Sequence, residues 1–325
     1  MKEIFKNKKI AFLGASNIAH GHFMAYMRSF IREQKDKCYI FNRGLGGNRA
    51  SMVKYLYEEE IALIKPDVVF FNYCVNDMAC WLYDAKKTIT PEILDKRLVR
   101  DREHLSCMKE VALRLKADGI TPVICSCHGV DEFIPLREDI ETIGDNKEKE
   151  DYIGPSFYTP QTMKNMNEKI ACYRDELKAF AVKNEIMFLD FFEIFQKTNN
   201  AQGGAGLFRA DGIHLTIDKG HVLTAKTILD FIGYKNVPDT FTKDEKLEEL
   251  FEYEKFERGI QYIKHARLSP WLGYTTKEKF NQGLQEMIDA GKFLTEIDNY
   301  KKFNDNLVQI EKTLEQKIKD YTDGK

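Results

Sequence analysis

KIAFLGASN, residues 9–17, is an apolar run that leads through a glycine to a serine at the start of a helical pattern. The run is short and almost continuously apolar, which is typical of a parallel strand buried on both faces. A serine directly after such a strand lies at the carboxyl edge of the sheet, where open α/β folds bind their ligands. This stretch therefore predicts a parallel α/β fold and makes Ser16 the first candidate functional residue.

Similar apolar runs recur along the chain and alternate with helical patterns. The strand candidates are Lys9–Leu13, Cys38–Asn42, Asp67–Asn72, Pro122–Cys127 and Ile186–Asp190. The helical candidates are Ile18–Gln34, Arg49–Ile64, Pro91–Ala117, Thr162–Asn184 and Thr216–Ile232. Strands that alternate with helices of this length predict a parallel sheet with helices on both faces. We expect a flavodoxin-like three-layer α/β/α domain with a five-stranded parallel sheet, whose strand order the sequence does not determine.

The α/β pattern ends near residue 236, and only helical patterns follow. We therefore divide the chain into an α/β domain, residues 1–235, and an all-helical C-terminal extension, residues 236–325. The last helical stretch has apolar residues three or four apart, which form one stripe: Tyr300, Phe303, Leu307, Ile310, Leu314, Ile318 and Tyr321. The stripe favours packing against the α/β domain, with a homodimer through the C-terminal helices as the alternative.

Composition and charge are those of an ordinary globular protein. The chain is 43% hydrophobic and 31% charged, with a formal net charge of −2, so no overall charge attracts nucleic acid or an anionic membrane. The apolar runs are too short to span a bilayer or to form a signal-peptide core. Seven cysteines, mostly in strand-like surroundings, predict reduced thiols without a disulfide framework or a metal site. We expect a cytoplasmic protein with no nucleic-acid or membrane partner.

Further polar or glycine-rich motifs lie at the ends of other predicted strands and before the last helix of the α/β domain. NRGLGGN, residues 42–48, follows the second strand, and Val75–Met78 follows the third. DGIHLT, residues 211–216, precedes the last helix of the α/β domain. Asp211 can accept the second N–H of the His214 imidazole and support its protonated form. Taken singly, a serine or asparagine at such a point is more often a cap or a turn residue. Together, the motifs predict one functional crevice at the sheet edge.

In this order the motifs resemble the sequence blocks of the SGNH, or GDSL-like, serine hydrolase superfamily, over about residues 9–232. Gly14-Ala15-Ser16 is similar to the family's Gly-Asp-Ser, and residues 42–47 to its Asn-x-Gly-x-x-Gly. Cys74-Val75-Asn76-Asp77 is similar to Gly-x-Asn-Asp, and residues 211–214 to Asp-x-x-His. Two departures, at Ala15 and Cys74, replace the usual Asp and Gly, and neither removes a catalytic group.

The resemblance implies a role for each matching residue. Ser16 would be the nucleophile and His214 the general base, oriented by Asp211. The backbone N–H groups of Ser16 and Gly47 and the side chain of Asn76 would form the oxyanion hole. Further candidates for substrate binding are Asn17, Asp77, Trp81 and Tyr83. The implied activity is hydrolysis of small acyl esters, such as O-acetyl groups on carbohydrate, through an acyl-Ser16 intermediate without a metal or organic cofactor.

Three alternatives stay open from the sequence. The same acyl-enzyme could pass its group to a sugar hydroxyl, which would make the protein an acyltransferase. The departures at Ala15 and Cys74 also fit a carbohydrate-binding protein that has lost catalysis. A short-chain dehydrogenase is disfavoured, because Ile18 and His20 stand where its dinucleotide loop needs glycine.

Overall fold

A computed structural model describes residues 2–79, 82, 89–131, 165–201, 206–209, 211–241, 243–272, 289 and 293–324. Within these ranges five strands form one sheet in which every pairing is parallel. The strands are β1 (Lys9–Gly14), β2 (Tyr39–Gly44), β3 (Val68–Asn72), β4 (Thr121–Cys125) and β5 (Met187–Leu189). Their order is β2-β1-β3-β4-β5, which is the flavodoxin-like order. The predicted fold class is confirmed.

The helices of the described residues agree with the predicted helical patterns at most positions. They are α1 (Lys2–Phe5), α2 (Ser16–Ala19), α3 (His22–Glu33), α4 (Ala50–Tyr57), α5 (Val75–Met78), α6 (Pro91–Ala117), α7 (Met166–Lys183), α8 (Phe191–Ala201), α9 (Gly220–Ile232), α10 (Glu245–Leu272) and α11 (Phe293–Asp323). A π-helical turn, Glu58–Ala62, continues α4. The sequence did not predict α8 or the short helices α1 and α5.

The predicted helix over residues 18–34 is two helices in the structure, because the chain turns at Gly21. Gly21 has a φ of 72°, which is left-handed and favours glycine. A Cβ there would lie 2.9 Å from Asn42 Nδ2, so a larger residue would also crowd the end of β2. The break leaves Ser16 on the short helix α2, separate from the long helix α3.

The hydrophobic core lies on both faces of the sheet, as the continuous apolar strands predict. Along β1, Ile10 and Phe12 belong to one buried cluster, and Ala11 and Leu13 belong to another. The first cluster includes residues of α3 and α9, and the second includes residues of α4 and α6. Alternate residues of a strand point to opposite faces, so β1 is covered on both sides. Its carboxyl end is thereby fixed in position.

The C-terminal helices α10 and α11 pack on each other and on the edge strand β2. Leu314, Ile318 and Tyr321 from the predicted stripe are buried in the second core cluster, together with Phe251 of α10. Leu307 is also buried. The side chains of Tyr300 and Phe303 lie outside the described residues. The prediction that the stripe packs on the α/β domain is confirmed for Leu314, Ile318 and Tyr321, whereas a homodimer stays a prediction.

Two further sequence predictions concern membranes and cysteines. In the part of the chain that the structure describes, no helix combines the length and the hydropathy needed to cross a bilayer. Cysteines 38, 74, 107, 125, 127 and 172 are free thiols, and only Cys172 of these is exposed. Cys80 lies outside the described residues.

Candidate active site

The predicted motifs meet at the carboxyl edge of the sheet, where β1 lies between β2 and β3. Open sheets of this kind bind ligands outside the carboxyl ends of their strands, at the point where the strand order reverses. Ser16 follows β1 directly, and Leu45 N, just after β2, donates to the Gly14 carbonyl at 2.9 Å. The loop that carries His214 reaches the same edge from the start of α9. The structure therefore brings Ser16 and His214 together from 198 residues apart.

Ser16, His214 and Asp211 form one chain of hydrogen bonds. Ser16 Oγ lies 2.8 Å from His214 Nε2, and His214 Nδ1 lies 2.6 Å from Asp211 Oδ2. Because a carboxylate can only accept here, Nδ1 carries the proton and Nε2 is left as the acceptor for the Ser16 hydroxyl. In chemical terms, the arrangement can take a proton from Ser16 and stabilise the imidazolium that results.

Asp211 is held in place by its own loop. Its Oδ1 accepts from the backbone N–H of Ile213 at 2.8 Å and of His214 at 2.9 Å. Burial raises the pKa of Asp211, but the hydrogen bonds from His214 and from these backbone groups outweigh it, so the pKa lies below its usual range. The carboxylate therefore stays charged at neutral pH, with both oxygens directed at this loop.

Asn17, which was predicted to bind substrate, is bonded to the backbone on both sides of His214. Its Nδ2 donates to the Ile213 carbonyl at 3.1 Å, and its Oδ1 accepts from Leu215 N at 3.0 Å. These two bonds flank His214 on both sides, so the amide ties the histidine loop to the turn that carries Ser16. The Nδ2 amide keeps a second N–H, so substrate binding by Asn17 stays a prediction beside this contact with the histidine loop.

The motif of residues 42–48, which we call the glycine loop, comprises the last three residues of β2 and the turn after it, and it lies against the serine turn. A Cβ on Gly44 would overlap the backbone N of Ala19, so only glycine permits this approach. Gly44 N donates to Asn42 Oδ1 at 2.9 Å, and Asn42 Nδ2 donates to the Ala19 carbonyl at 3.0 Å. Gly47 lies on an exposed turn of this loop with a φ of 72°.

Asn76 and Asp77 lie at the end of β3 and have different surroundings. Asn76 is half-buried, and its Nδ2 donates to the Asn48 carbonyl at 3.0 Å, which leaves the second N–H of the amide for another acceptor. Asp77 is 3% exposed, and its Oδ1 accepts from Ala50 N at 2.8 Å. This buried carboxylate therefore bonds the start of α4, and substrate binding by Asp77 stays a prediction.

Trp81 and Tyr83, the other candidates for substrate binding, lie outside the described residues. In the part of the chain that is described, no group of three or more His, Cys, Asp or Glu side chains is placed to hold a metal ion.

His20 lies beside the site and was not assigned a function from the sequence. Its ring centroid is 5.5 Å from that of His214. Burial, followed by the nearby His214 and Arg209, lowers the pKa of His20 to about 3. His20 is therefore neutral at physiological pH and adds no positive charge beside a protonated His214. The sequence did carry a signal, since residues four apart at a helix start, such as Ser16 and His20, lie on one face.

Comparisons with known proteins point to the same fold. No protein-family model matches the chain, and no curated protein matches it in sequence. Among solved structures, it is similar to a gut microbial diltiazem-metabolizing enzyme, with a TM-score of 0.62 and 12% identity over 98% of this chain and 96% of that chain. It is also similar to a variant of Axe2, an acetyl xylan esterase from Geobacillus stearothermophilus. That TM-score is 0.50, with 18% identity over 73% of this chain and 100% of that chain. At these identities the likeness establishes a shared fold.

Proposed function

We propose that this protein is an SGNH-type serine hydrolase that cleaves small acyl esters through an acyl-Ser16 intermediate. The observation that carries the proposal is the hydrogen-bonded chain from Ser16 Oγ to His214 and Asp211, with distances of 2.8 and 2.6 Å. Further support comes from the four sequence motifs, which occur in the family's order, and from the fold shared with an acetyl xylan esterase.

In the first half of the proposed reaction, Ser16 Oγ attacks the ester carbonyl while His214 Nε2 takes the serine proton. The carbonyl π bond opens, and its electron pair goes to the oxygen of a tetrahedral intermediate. When the intermediate collapses, the bond to the alcohol breaks and His214 returns the proton to the departing oxygen. In the second half, water repeats these steps on the acyl-serine and releases the acid. Asp211 keeps the imidazole in the required tautomer throughout.

The negative oxygen of the tetrahedral intermediate needs hydrogen-bond donors in a fixed position. We propose the backbone N–H groups of Ser16 and Gly47 and the second N–H of the Asn76 amide. One such donor typically contributes about 10²–10³ in rate. Asn76 suits this role because its other N–H is bonded to Asn48, which restricts how the amide can turn.

For the substrate, we propose an acetyl ester, carried on carbohydrate as the resemblance implies. The acetyl xylan esterase with the same fold supports this class. A carbohydrate-binding protein without catalysis is disfavoured, because such a protein has no need of a serine–histidine–carboxylate chain at hydrogen-bonding distances.

The test is covalent labelling with a fluorophosphonate, read by intact mass, for the wild type and for Ser16→Ala and His214→Ala. We expect one label on the wild type, none on Ser16→Ala and much slower labelling of His214→Ala. Release of 4-nitrophenol from 4-nitrophenyl acetate should follow the same order. Adding an acceptor alcohol then separates hydrolysis from acyl transfer, since a transferase would form a new ester. A folded wild type that neither labels nor hydrolyses the acetate would refute the proposal.

A further inference from the structure

Helix α10 lies outside the α/β domain that the sequence motifs define, yet it is bonded to the start of the glycine loop. Glu254 is 1% exposed, and its Oε1 accepts from the backbone N of Asn42 at 3.2 Å. The same carboxylate accepts hydrogen bonds from both terminal nitrogens of Arg28, at 2.6 and 3.0 Å. Arg28 also donates to the Ile40 carbonyl at 2.7 Å. Glu254 therefore fixes the end of β2 relative to α3 and α10.

The next residue of the glycine loop, Arg43, is buried among carboxylates. Its Nη1 lies 3.5 Å from Glu60, 3.6 Å from Glu257 of α10 and 3.3 Å from Glu311 of α11. Arg258 completes the cluster by pairing with Glu257 and, at 2.8 Å, with Glu60. A displacement of Arg43 would remove one of the two arginines that neutralise the buried carboxylates of Glu60, Glu257 and Glu311, which is unfavourable. The cluster therefore holds this part of the loop in one position.

A third contact lies one residue before the proposed oxyanion donor. The ring of Tyr262, on α10, lies 3.7 Å from the position that a Cβ on Gly46 would occupy. Tyr262 is 52% exposed, so its ring lies beside Gly46 at the protein surface. Along its length, α10 thus follows the glycine loop from Asn42 to Gly46, and the next residue is Gly47.

We propose that α10 is a positioning element of the oxyanion hole: it holds the glycine loop so that the Gly47 N–H meets the negative oxygen of the transition state. The inference rests on the proposed function of Ser16 and Gly47. It assigns to the C-terminal extension an indirect part in the rate of the reaction. Tyr262 and Glu257 act through the loop and are positioning residues.

The variants that test this inference are Tyr262→Ala and Glu257→Gln, with Phe256→Ala as the matched control. Phe256 is on the same helix and is 53% exposed, close to the 52% of Tyr262, but its ring packs at 6.0 Å from that of Tyr253. Because Tyr262 is largely exposed, its truncation leaves the buried charge cluster intact. Tyr262→Ala therefore keeps the test valid if Glu257→Gln does not fold.

The readout is the ratio of kcat/KM for 4-nitrophenyl acetate to that for its thiono analogue, in which sulfur replaces the carbonyl oxygen. Sulfur accepts hydrogen bonds weakly, so the thionoester gains little from oxyanion donors. A displaced donor therefore slows the oxygen ester more than the sulfur ester. A loss of folded protein, or of substrate binding alone, lowers both rates together and leaves the ratio unchanged.

We expect the oxygen-to-sulfur ratio to fall about 10-fold in Tyr262→Ala and in Glu257→Gln, part of the 10²–10³ that one donor contributes. KM should change little, and Phe256→Ala should keep the wild-type ratio. If Ser16 labels in the wild type and both variants keep the wild-type ratio, the inference about α10 is refuted while the proposed function stands. If the wild type neither labels nor hydrolyses the oxygen ester, the proposed function fails and the inference fails with it.

Discussion

Replacing Asn17 by alanine separates a positioning residue from a substrate-binding one. The substitution removes two hydrogen bonds, to Ile213 and Leu215, that hold the histidine loop against the serine turn. At about 0.5–1.5 kcal/mol each, their loss should lower the free energy of unfolding by about 1–3 kcal/mol. The same loss frees His214 to move relative to Ser16. A displacement of about 1 Å can cost about 10²-fold in rate.

We therefore expect Asn17→Ala to lower kcat for 4-nitrophenyl acetate by about 10²-fold, with little change in KM. Urea denaturation gives the stability, and steady-state kinetics give kcat and KM. The control is Tyr57→Phe, which removes a 2.6 Å hydrogen bond to Asp118 beside the amino end of β4. It should lower stability comparably while kcat stays near that of the wild type. A raised KM with unchanged kcat and stability would show that Asn17 binds substrate, and the positioning role would be wrong.

Three further predictions follow from the same structure. Asp211→Asn should lower kcat by about 10⁴-fold at nearly constant KM, because the amide favours the wrong imidazole tautomer. Steady-state kinetics measure this, and a loss in kcat below tenfold would contradict the role given to Asp211. Gly44→Ala should lower the free energy of unfolding by about 3 kcal/mol, because the new Cβ overlaps the backbone of Ala19. A urea midpoint equal to that of the wild type would contradict the close contact between Gly44 and Ala19. Burial lowers the pKa of His128 to about 3 in the folded protein. In the unfolded chain this histidine has an ordinary pKa of about 6.5, so as the pH falls the unfolded state binds the proton first. Stability should therefore drop between pH 6.5 and 3, by about 2 kcal/mol at pH 5 for this residue, and unfolding of His128→Phe should depend less on pH over that range.

The strands were predictable from the sequence because they are buried on both faces. A strand such as β3, whose five residues are all buried, must be apolar throughout, and that composition is visible without any partner. Helix α8 was missed for a related reason. Its Phe191, Phe192 and Phe195 follow β5 almost directly, so the apolar run hides the point where the strand ends. The boundary lies at Asp190, whose Oδ1 accepts from Glu193 N at 3.1 Å, as a helix cap does.

The candidate site was predictable only as far as residue types and order allow. The positions of Ser16, Asp211 and His214 follow from short motifs, whereas the partners of Asn17 and Asp77 depend on which backbone groups meet at the sheet edge. No local pattern indicates that Asn17 reaches a loop 196 residues away. The same holds for α10, because the contact between Glu257 and Arg43 joins segments that no motif relates.

The buried charge cluster around Arg43 also has a consequence for the order in which the newly synthesised chain can fold. Arg43 pairs with Glu311, which is made 268 residues later. Glu60 can pair with Arg43 early, but Glu257 and Glu311 reach it only after α10 and α11 have left the ribosome, so the buried charge cluster is completed late. Contacts between such distant segments also form slowly. Ser16 is therefore synthesised among the first residues, but the contacts of α10 and α11 with the glycine loop beside it form among the last.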